Sequence, residues 1–323
     1  MSLARLTAAS LLVLAPAIAN DTLATLGAGG LTPLKTSTIV MESEDLEISI
    51  HKITVRYLFS NTSDHDQDVT VAFPLPELGG GMLANEPVKI PSKDPVNFID
   101  FRVLAGGKPV TPKVEMRAFV DNQEITADLK AMGVPLSPLD EHAAAAYRKA
   151  PANLRAKFEK GGWMDCKLTN DDRCWPMWQV RIQYYWTQHF PAKSTLQVEH
   201  TYSPVVGGSY ITPTDDGSST ARDFCGGPAA VAEIQKQKAL HPPKNTDSPV
   251  LMQRRIQYIV TTANNWAGPI GSFKLSILPD AASDIVLTCQ QGLKRVAPAR
   301  YEFSRTSFRP DKELDIMILQ PAN

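Results

Sequence analysis

The feature that most constrains this chain is a period-two alternation of apolar and polar residues that returns along most of its length. Leu46, Ile48 and Ile50 alternate with polar residues, the parity slips at His51-Lys52, and the pattern resumes as Ile53, Val55, Tyr57 and Phe59. Successive side chains of a strand point to opposite faces, so such runs bury one face only. A one-residue slip therefore calls for a turn or bulge at His51-Lys52. A polar turn at residues 61–66 precedes Val69, Val71 and Phe73, which read as the returning arm of an antiparallel hairpin ending at Pro74-Leu-Pro76. Ile99, Phe101 and Val103, then Gly106-Gly107, then residues 110–119 predict a second hairpin. Trp178, Val180, Ile182, Tyr184 and Trp186 alternate next, with Leu196, Val198 and His200 as their returning arm.

Further strands are expected at residues 256–262, 273–278, 285–289, 301–303 and 314–319, with a short helix at 228–240. Many short strands separated by turn residues, in a chain with 25 Pro, point to a mainly β fold. The expected architecture is an antiparallel β-sandwich, in two sandwich-like units with a small helical insertion. Helical signals concentrate at residues 121–162. Asp121 with Glu124 resembles a capping box, Ile125, Leu129 and Met132 share a stripe, and Gly133 is placed to stop the helix. Ser137-Pro138 opens a second helix running to about Lys149, and residues 151–160 form a third that ends at Gly161-Gly162. The expected organisation is a leader at 1–19, an N-terminal β-sandwich region at 20–120, the helical insertion at 121–162, and a C-terminal β-rich region at 163–323.

The leader is read from Arg5, an apolar stretch over residues 6–14, Pro16, and the small-residue pattern Ala17-Ile18-Ala19. That is a secretory signal peptide cleaved before Asn20. Its apolar run is shorter than the roughly 20 residues a membrane span needs, and no other unbroken apolar segment reaches that length. An exported chain, periplasmic or secreted and without a membrane span, is expected. Four cysteines remain after cleavage: Cys166, Cys174, Cys225 and Cys289. An oxidising compartment favours two disulfides, for which three pairings exist. The Asn/Asp turn between Cys166 and Cys174 suggests a local bridge and leaves Cys225 for Cys289.

With 33 basic and 34 acidic side chains in 323 residues, the chain has no polyelectrolyte character that would suit a nucleic acid. Its histidines, including His189 and His200 on opposite arms of one expected hairpin, suggest at most a metal pair without a third ligand. There is no G-x-S-x-G elbow. Asp64, Asp66 and Asp68 have the spacing that opens a calcium loop, but Val69 and Leu75 occupy the glycine and closing-acid positions. Asp215-Asp216 reads as an exposed turn, and Gly79-Gly80-Gly81 lacks the Lys-Ser/Thr of a phosphate loop. No catalytic set, metal site or cofactor is expected. Trp163, Trp175, Trp178 and Trp186 cluster around the first cysteine pair. Trp178 and Trp186 share a strand face with Val180 and Ile182 and belong to the core, whereas Trp163 and Trp175 lie near loops and are candidates for partner contact.

Scattered segments together resemble a bacterial family known as domain of unknown function 4424. They are Asn20-Asp-Thr22, Gly29-Gly-Leu31, Met41-Glu-Ser-Glu-Asp-Leu46, Val55-Arg-Tyr57, Asn61, Ala72-Phe-Pro-Leu-Pro76, Trp186-Thr-Gln-His-Phe-Pro191, His200-Thr-Tyr-Ser-Pro204 with Gly207, Asn264-Asn-Trp-Ala-Gly-Pro269 and Phe308-Arg-Pro310. The resemblance implies an exported, β-rich protein of Gram-negative bacteria and carries over no reaction and no catalytic residue. Residues 55–76 are also similar to part of the VIT domain of inter-α-trypsin inhibitor proteins, without the metal site of the von Willebrand type that follows there. The functional expectation is a non-enzymatic module that binds an envelope protein or a glycan. The rival is a periplasmic hydrolase or metalloenzyme whose site is assembled from residues distant in sequence, around His189 and His200.

Overall fold

In a computed structural model, the described residues are 20–27, 30–79, 91, 92, 94, 96–166, 174–242, 245 and 248–322. The expected leader at 1–19, most of the Gly/Pro-rich connection at 78–94 and the turn at 167–173 lie outside them. The alternating segments form strands β1 (Thr22–Gly27), β2 (Gly30–Leu34), β3 (Ile39–Ile48), β4 (Ile53–Asn61), β5 (Gln67–Pro74), β6 (Leu78–Gly79), β7 (Arg102–Ala105), β8 (Lys108–Val110), β9 (Lys113–Val120) and β10 (Gln123–Glu124). Helices α1 (Thr126–Met132), α2 (Ala143–Lys149) and α3 (Ala152–Gly161) follow. Next come β11 (Met164–Asp165), β12 (Trp175–Pro176), β13 (Gln179–Phe190), β14 (Thr195–Tyr202) and β15 (Gly207–Ile211), then α4 (Ser218–Asp223) and α5 (Gly227–Leu240). The chain closes with β16 (Leu251–Tyr258), a 3₁₀ turn (Thr261–Asn265), β17 (Ile270–Ile277), β18 (Ile285–Thr288), β19 (Lys294–Ala297), β20 (Arg300–Phe308) and β21 (Leu314–Pro321).

The fold is mainly β and sandwich-like. One sheet runs β10-β9-β13-β5-β1-β2, with β6 also on β13, and a second runs β19-β20-β17-β3-β4-β14-β7-β8. Both draw strands from the 20–120 and 163–323 regions, so the sheets interleave the two halves of the sequence. Their inward residues, among them Leu46, Val55, Phe73, Phe101, Tyr184 and Leu275, share one core. A third sheet, β15-β16-β21-β18, gives Ile256, Tyr258, Ile316 and Ile318 to that core. On its other face Leu251, Leu287, Met317 and Leu319 pack against Ala221 and Phe224 of α4 and Ala230 and Ile234 of α5. The pairings are antiparallel except β17 with β3, which runs parallel from Ser272 beside Ser43 to Ile277 beside Ile48.

Two of the expected hairpins are not hairpins. β4 pairs with β3 and β14 in the second sheet, whereas β5 pairs with β13 and β1 in the first. The polar turn at 61–66 is therefore a corner where the chain crosses the sandwich, and residues 191–194 between β13 and β14 form its twin. The two corners hold each other: Asn61 N–H donates to the Ser194 carbonyl at 3.0 Å, Lys193 N–H to the Ser63 carbonyl at 3.1 Å, and Asn61 Nδ2 to the Phe190 carbonyl at 3.0 Å. Alternation alone is identical for a hairpin and for a crossing of this kind, because both leave one face of each arm buried. The slip at His51-Lys52 is a true hairpin turn, with Ser49 N–H on the Lys52 carbonyl at 3.0 Å. Gly106 and Gly107, at φ 56° and 74°, make a two-residue turn between β7 and β8. Residues 113–120 leave for the other sheet.

The helical insertion closes one end of the core with Leu129, Met132, Tyr147 and Phe158. Three details differ from the sequence reading. Asp121 and Asn122 take positive φ in the turn between β9 and β10, so α1 starts at Thr126 behind Ile125 and not from a capping box. Ser137 and Asp140 bind their own loop, Ser137 Oγ accepting from Leu139 N–H and Asp140 Oδ1 from His142 N–H, which delays α2 to Ala143. The C-terminal region holds two helices where one was expected.

Both disulfides form the expected pairs, Cys166–Cys174 and Cys225–Cys289, across 8 and 64 residues. Loop-closure entropy makes the longer one the larger restraint on the unfolded chain. Replacing Cys225 and Cys289 with Ser should lower unfolding free energy by about 4 kcal/mol, against about 2.5 kcal/mol for the Cys166/Cys174 pair. Guanidinium denaturation of the two double variants checks the order.

Candidate functional site

The first described residues run directly into the core. Asn20, Asp21 and Thr22, which lead into β1, are at most 1% exposed. Around them close Glu44 of β3, Tyr57 of β4, His200 and Tyr202 of β14, Tyr258 of β16, Thr262 and Asn265 of the 3₁₀ turn, and Trp266. Glu44 faces inward for a definite reason. The β3–β4 register shifts between Met41 and Ser43, and beyond that bulge Glu44, Leu46 and Ile48 all point to the core. Gly271 lets β17 approach the bulge, since a Cβ there would lie 2.5 Å from the Glu42 carbonyl oxygen.

Asn20 is the hub of the hydrogen bonds. Its Nδ2 donates to Glu44 Oε1 at 3.3 Å and Oε2 at 3.1 Å, and its Oδ1 accepts from the Tyr57 hydroxyl at 2.5 Å and from Asp21 N–H at 2.7 Å. Its carbonyl accepts from Thr262 Oγ1 at 2.9 Å. The Tyr258 hydroxyl donates to Glu44 Oε1 at 3.3 Å. Trp266 Nε1 donates to the Asp21 carbonyl at 2.8 Å, and Asn265 Nδ2 to Thr22 Oγ1 at 2.9 Å.

Two carboxyl groups are thus buried together, and among the described residues no Lys or Arg pairs with either. Burial pushes the Glu44 carboxyl up to about 8 despite the opposing hydrogen bonds from Asn20 and Tyr258. Burial, and then the charge of Glu44, raises Asp21 well above the usual carboxylate range. His200 Nε2 lies 3.5 Å from Asp21 Oδ2, yet burial lowers the imidazole to about 3, so it is neutral and supplies no charge. Its ring is enclosed by those of Tyr57, Phe73, Phe101 and Trp186 at centroid distances of 5.2 to 5.4 Å. Among the described residues, Asp21 Oδ1 and both His200 nitrogens have no hydrogen-bond partner. This cluster is sealed from solvent. It can hold charge and protons, but substrate cannot reach it.

The concave surfaces lie elsewhere. Tyr202 borders a small apolar pocket of about 80 Å³ with Leu75, Leu78, Phe98, Ile99 and Val205. A polar cleft of about 920 Å³ opens beside the third sheet, lined by His241, Met252, Arg254, Asp280, Asp284 and Gln320. Its polar groups are held in a chain. Arg254 Nε donates to Gln320 Oε1 at 3.4 Å, Gln320 Nε2 to Asp284 Oδ2 at 3.1 Å and Asp280 Oδ2 at 3.3 Å, and His51 Nε2 lies 3.1 Å from the same Asp280 oxygen.

The residues singled out from sequence scatter. Trp163, expected near the surface, is 8% exposed and packs edge-on against Phe158 at 5.0 Å. It is buried because Gly162, in the left-handed region at φ 65°, turns the chain back from α3 and directs the indole inward. Trp175 is half-buried on the β11–β12 pair, while Trp178 and Trp186 are in the core. His189 and His200 belong to different sheets: His189 is exposed with Nδ1 2.8 Å from Asp68 Oδ1, and His200 is sealed. Among the described residues no three His, Cys, Asp or Glu side chains gather as a metal site. Asp66 and Asp68 flank His189, and Asp215 and Asp216 accept the backbone N–H groups of Gly217 and Ser218 in their own turn. No sequence motif marks the acid cluster as a site, although most of its segments are among those that carry the family resemblance.

The profile of the family described as Domain of unknown function (DUF4424) matches residues 19–317. No curated relative matches the chain. A crystal structure from Legionella pneumophila, titled a "putative nutrient binding protein", aligns at 13% identity and a TM-score of 0.45, covering 94% of this chain and 71% of its own. The M1 zinc metallopeptidase of Deinococcus radiodurans aligns at 8% identity and a TM-score of 0.28, covering 90% of this chain and 44% of its own. Likenesses this distant assign no role.

Two measurements follow from the cluster and its surroundings. In the unfolded chain His200 titrates near 6.5, and in the folded protein near 3. The unfolded state therefore binds the extra proton, and the stability this residue gives above pH 6.5 is lost as pH falls toward 3, by up to about 1.4 kcal/mol per unit. Asp21 and Glu44 act with the opposite sign, so the readout is the difference between wild type and His200→Phe in urea melts from pH 7 to pH 4, which should shrink with acidification. Trp163→Ala should destabilise by about 3 kcal/mol through the cavity it leaves, measured in the same melts.

Proposed function

The chain belongs to the DUF4424 family, and on that premise we propose that it is an exported, non-enzymatic module that binds a protein or glycan partner in the bacterial envelope or outside the cell. Two disulfides support an oxidising compartment, and no helix among the described residues is long and apolar enough to cross a membrane. The observation that carries the binding reading is the cleft beside the third sheet. Arg254, Gln320 and Asp280 present donors and acceptors whose positions are fixed by one another, above an apolar patch that includes Met252. Polar groups arranged in advance in an open groove suit an extended polar ligand, because little side-chain entropy is lost on binding. Trp175, half-buried beside the Cys166–Cys174 bridge, remains a second contact.

A photo-crosslinking residue in place of Met252 should capture a discrete envelope species or a glycan, and one in place of Leu104, exposed on β7 in the second sheet, should not. Arg254→Ala should reduce capture roughly tenfold, as expected from losing a charge-assisted contact, without changing the melting temperature. Equal labelling at the two positions would remove the cleft from the proposal.

A further inference from the structure

The acid cluster lacks a cation, and the sequence indicates where one comes from. Asp21 and Glu44 are buried with no Lys or Arg beside them among the described residues, and the one nearby base, His200, is neutral. Uncompensated charge in a dry core is costly enough that proteins pair it or neutralise it. The residue that binds both Glu44 oxygens through its side chain is Asn20, itself 0% exposed. Asn20 is also the residue that the Ala17-Ile18-Ala19 pattern places directly after the cleavage point. The first residues of most domains are poorly ordered unless tied down. Here Asn20 is the hub of a buried network.

We propose that the α-ammonium of Asn20, freed when the leader is removed, is the missing counter-ion of the Asp21–Glu44 acid pair, so that processing completes the core. The inference rests on the export reading and deepens it. In the covalent step an envelope endopeptidase adds water across the Ala19–Asn20 peptide bond. The carbonyl carbon of Ala19 takes the hydroxyl, the nitrogen of Asn20 takes the hydrogen, and protonation of the new amine gives the cation. One ammonium and one proton retained on the two acids then leave the cluster neutral. The residue that would carry this charge is buried in the cluster and anchored there, by Tyr57 on its Oδ1 and Thr262 on its carbonyl. The precursor has a neutral amide instead of that ammonium, and its acid pair lacks the counter-ion. A cluster whose charges balance only after cleavage favours the exported form over the unprocessed one.

The test uses the exported, processed protein. Intact-mass analysis first fixes the N-terminal residue, and a start other than Asn20 overturns the export premise and the proposal with it. On protein that begins at Asn20, reductive methylation near pH 7 selects α-amines over lysines, because their ordinary pKa values are about 8 and 10.4. The Asn20 amine should react at least roughly tenfold more slowly in the folded protein than in urea, as expected for a buried, ion-paired group. Labelling at the unfolded rate overturns the proposal while leaving export intact. A second comparison inserts one Gly between Ala19 and Asn20, so that cleavage leaves the cation one residue away. Glu44→Gln should lower the melting temperature of the native-start protein by roughly 5 °C, the loss of a buried pair. In the Gly-extended protein it should leave the melting temperature unchanged or raise it, since there it removes an uncompensated acid. Equal effects in the two backgrounds overturn the pairing.

Discussion

Two carboxyl groups buried in the core are the constraint around which the rest of this structure is organised. An apolar core tolerates an acid only where hydrogen bonds and compensating groups are brought to it. Those groups come from the whole length of the chain: Asn20 before β1, Glu44 on β3, Tyr57 on β4, His200 on β14, Tyr258 on β16 and Trp266 after the 3₁₀ turn. A wrong register in any of these strands would leave a buried polar atom without its partner. The cluster therefore acts as a check on assembly, since a compact but misregistered sandwich could bury as much apolar surface but could not satisfy Glu44. Buried polar networks that are costly when half-made favour one arrangement in this way.

The interleaved topology follows the same logic. β3 is central to the second sheet, antiparallel to β4 on one side and parallel to β17 on the other. The β17 pairing begins at Ser272 beside Ser43, immediately after the bulge that turns Glu44 inward. The close backbone approach at Gly271 and the position of the acid are therefore parts of one local arrangement. Close to that bulge, where Asn61 pairs with Ile39, the two corners that exchange hydrogen bonds through Asn61, Ser63, Lys193 and Ser194 fix where β4 and β13 end and where β5 and β14 begin. Both long strand pairs thus enter their sheets with offsets already set. The mutual pairing of the corners explains how two connections of this kind, each irregular alone, can both be short.

Much of this was legible in the sequence, and the part that was not has a physical reason. Alternation located most strands, and the slip at His51-Lys52 correctly marked a turn. The same alternation could not say which strands pair, because a hairpin and a crossing between facing sheets impose the same pattern on each arm. Glu44 was within reach of the argument, since it shares the parity of Leu46 and Ile48 and an acid in an inward register is a conspicuous exception. Asp21 was not, because β1 carries too little alternation to give its flanking residue a face. Proximity to a turn does not fix the exposure of Trp163, because the left-handed Gly162 returns the chain onto the core. The Asp121–Glu124 capping signal failed to a competing use of the same residues, a tight strand turn at positive φ.

One strand connects the sealed chemistry with the open surface. Along β16 the even-numbered residues share a face: Tyr258 reaches the acid cluster, Ile256 lies in the core, and Arg254 and Met252 emerge to line the cleft. A strand is stiff along its length and is held here by β15 and β21 on either side, so its inner end cannot shift without displacing its outer end. The contacts that satisfy Glu44 therefore also set where Arg254 stands relative to Gln320 on β21. Perturbed acids usually suggest catalysis, but these are enclosed, and what they can transmit is position rather than protons. The cluster thus fixes the strand on which the cleft of the proposed function is built, a rigid β framework carrying its variable groups at the margin.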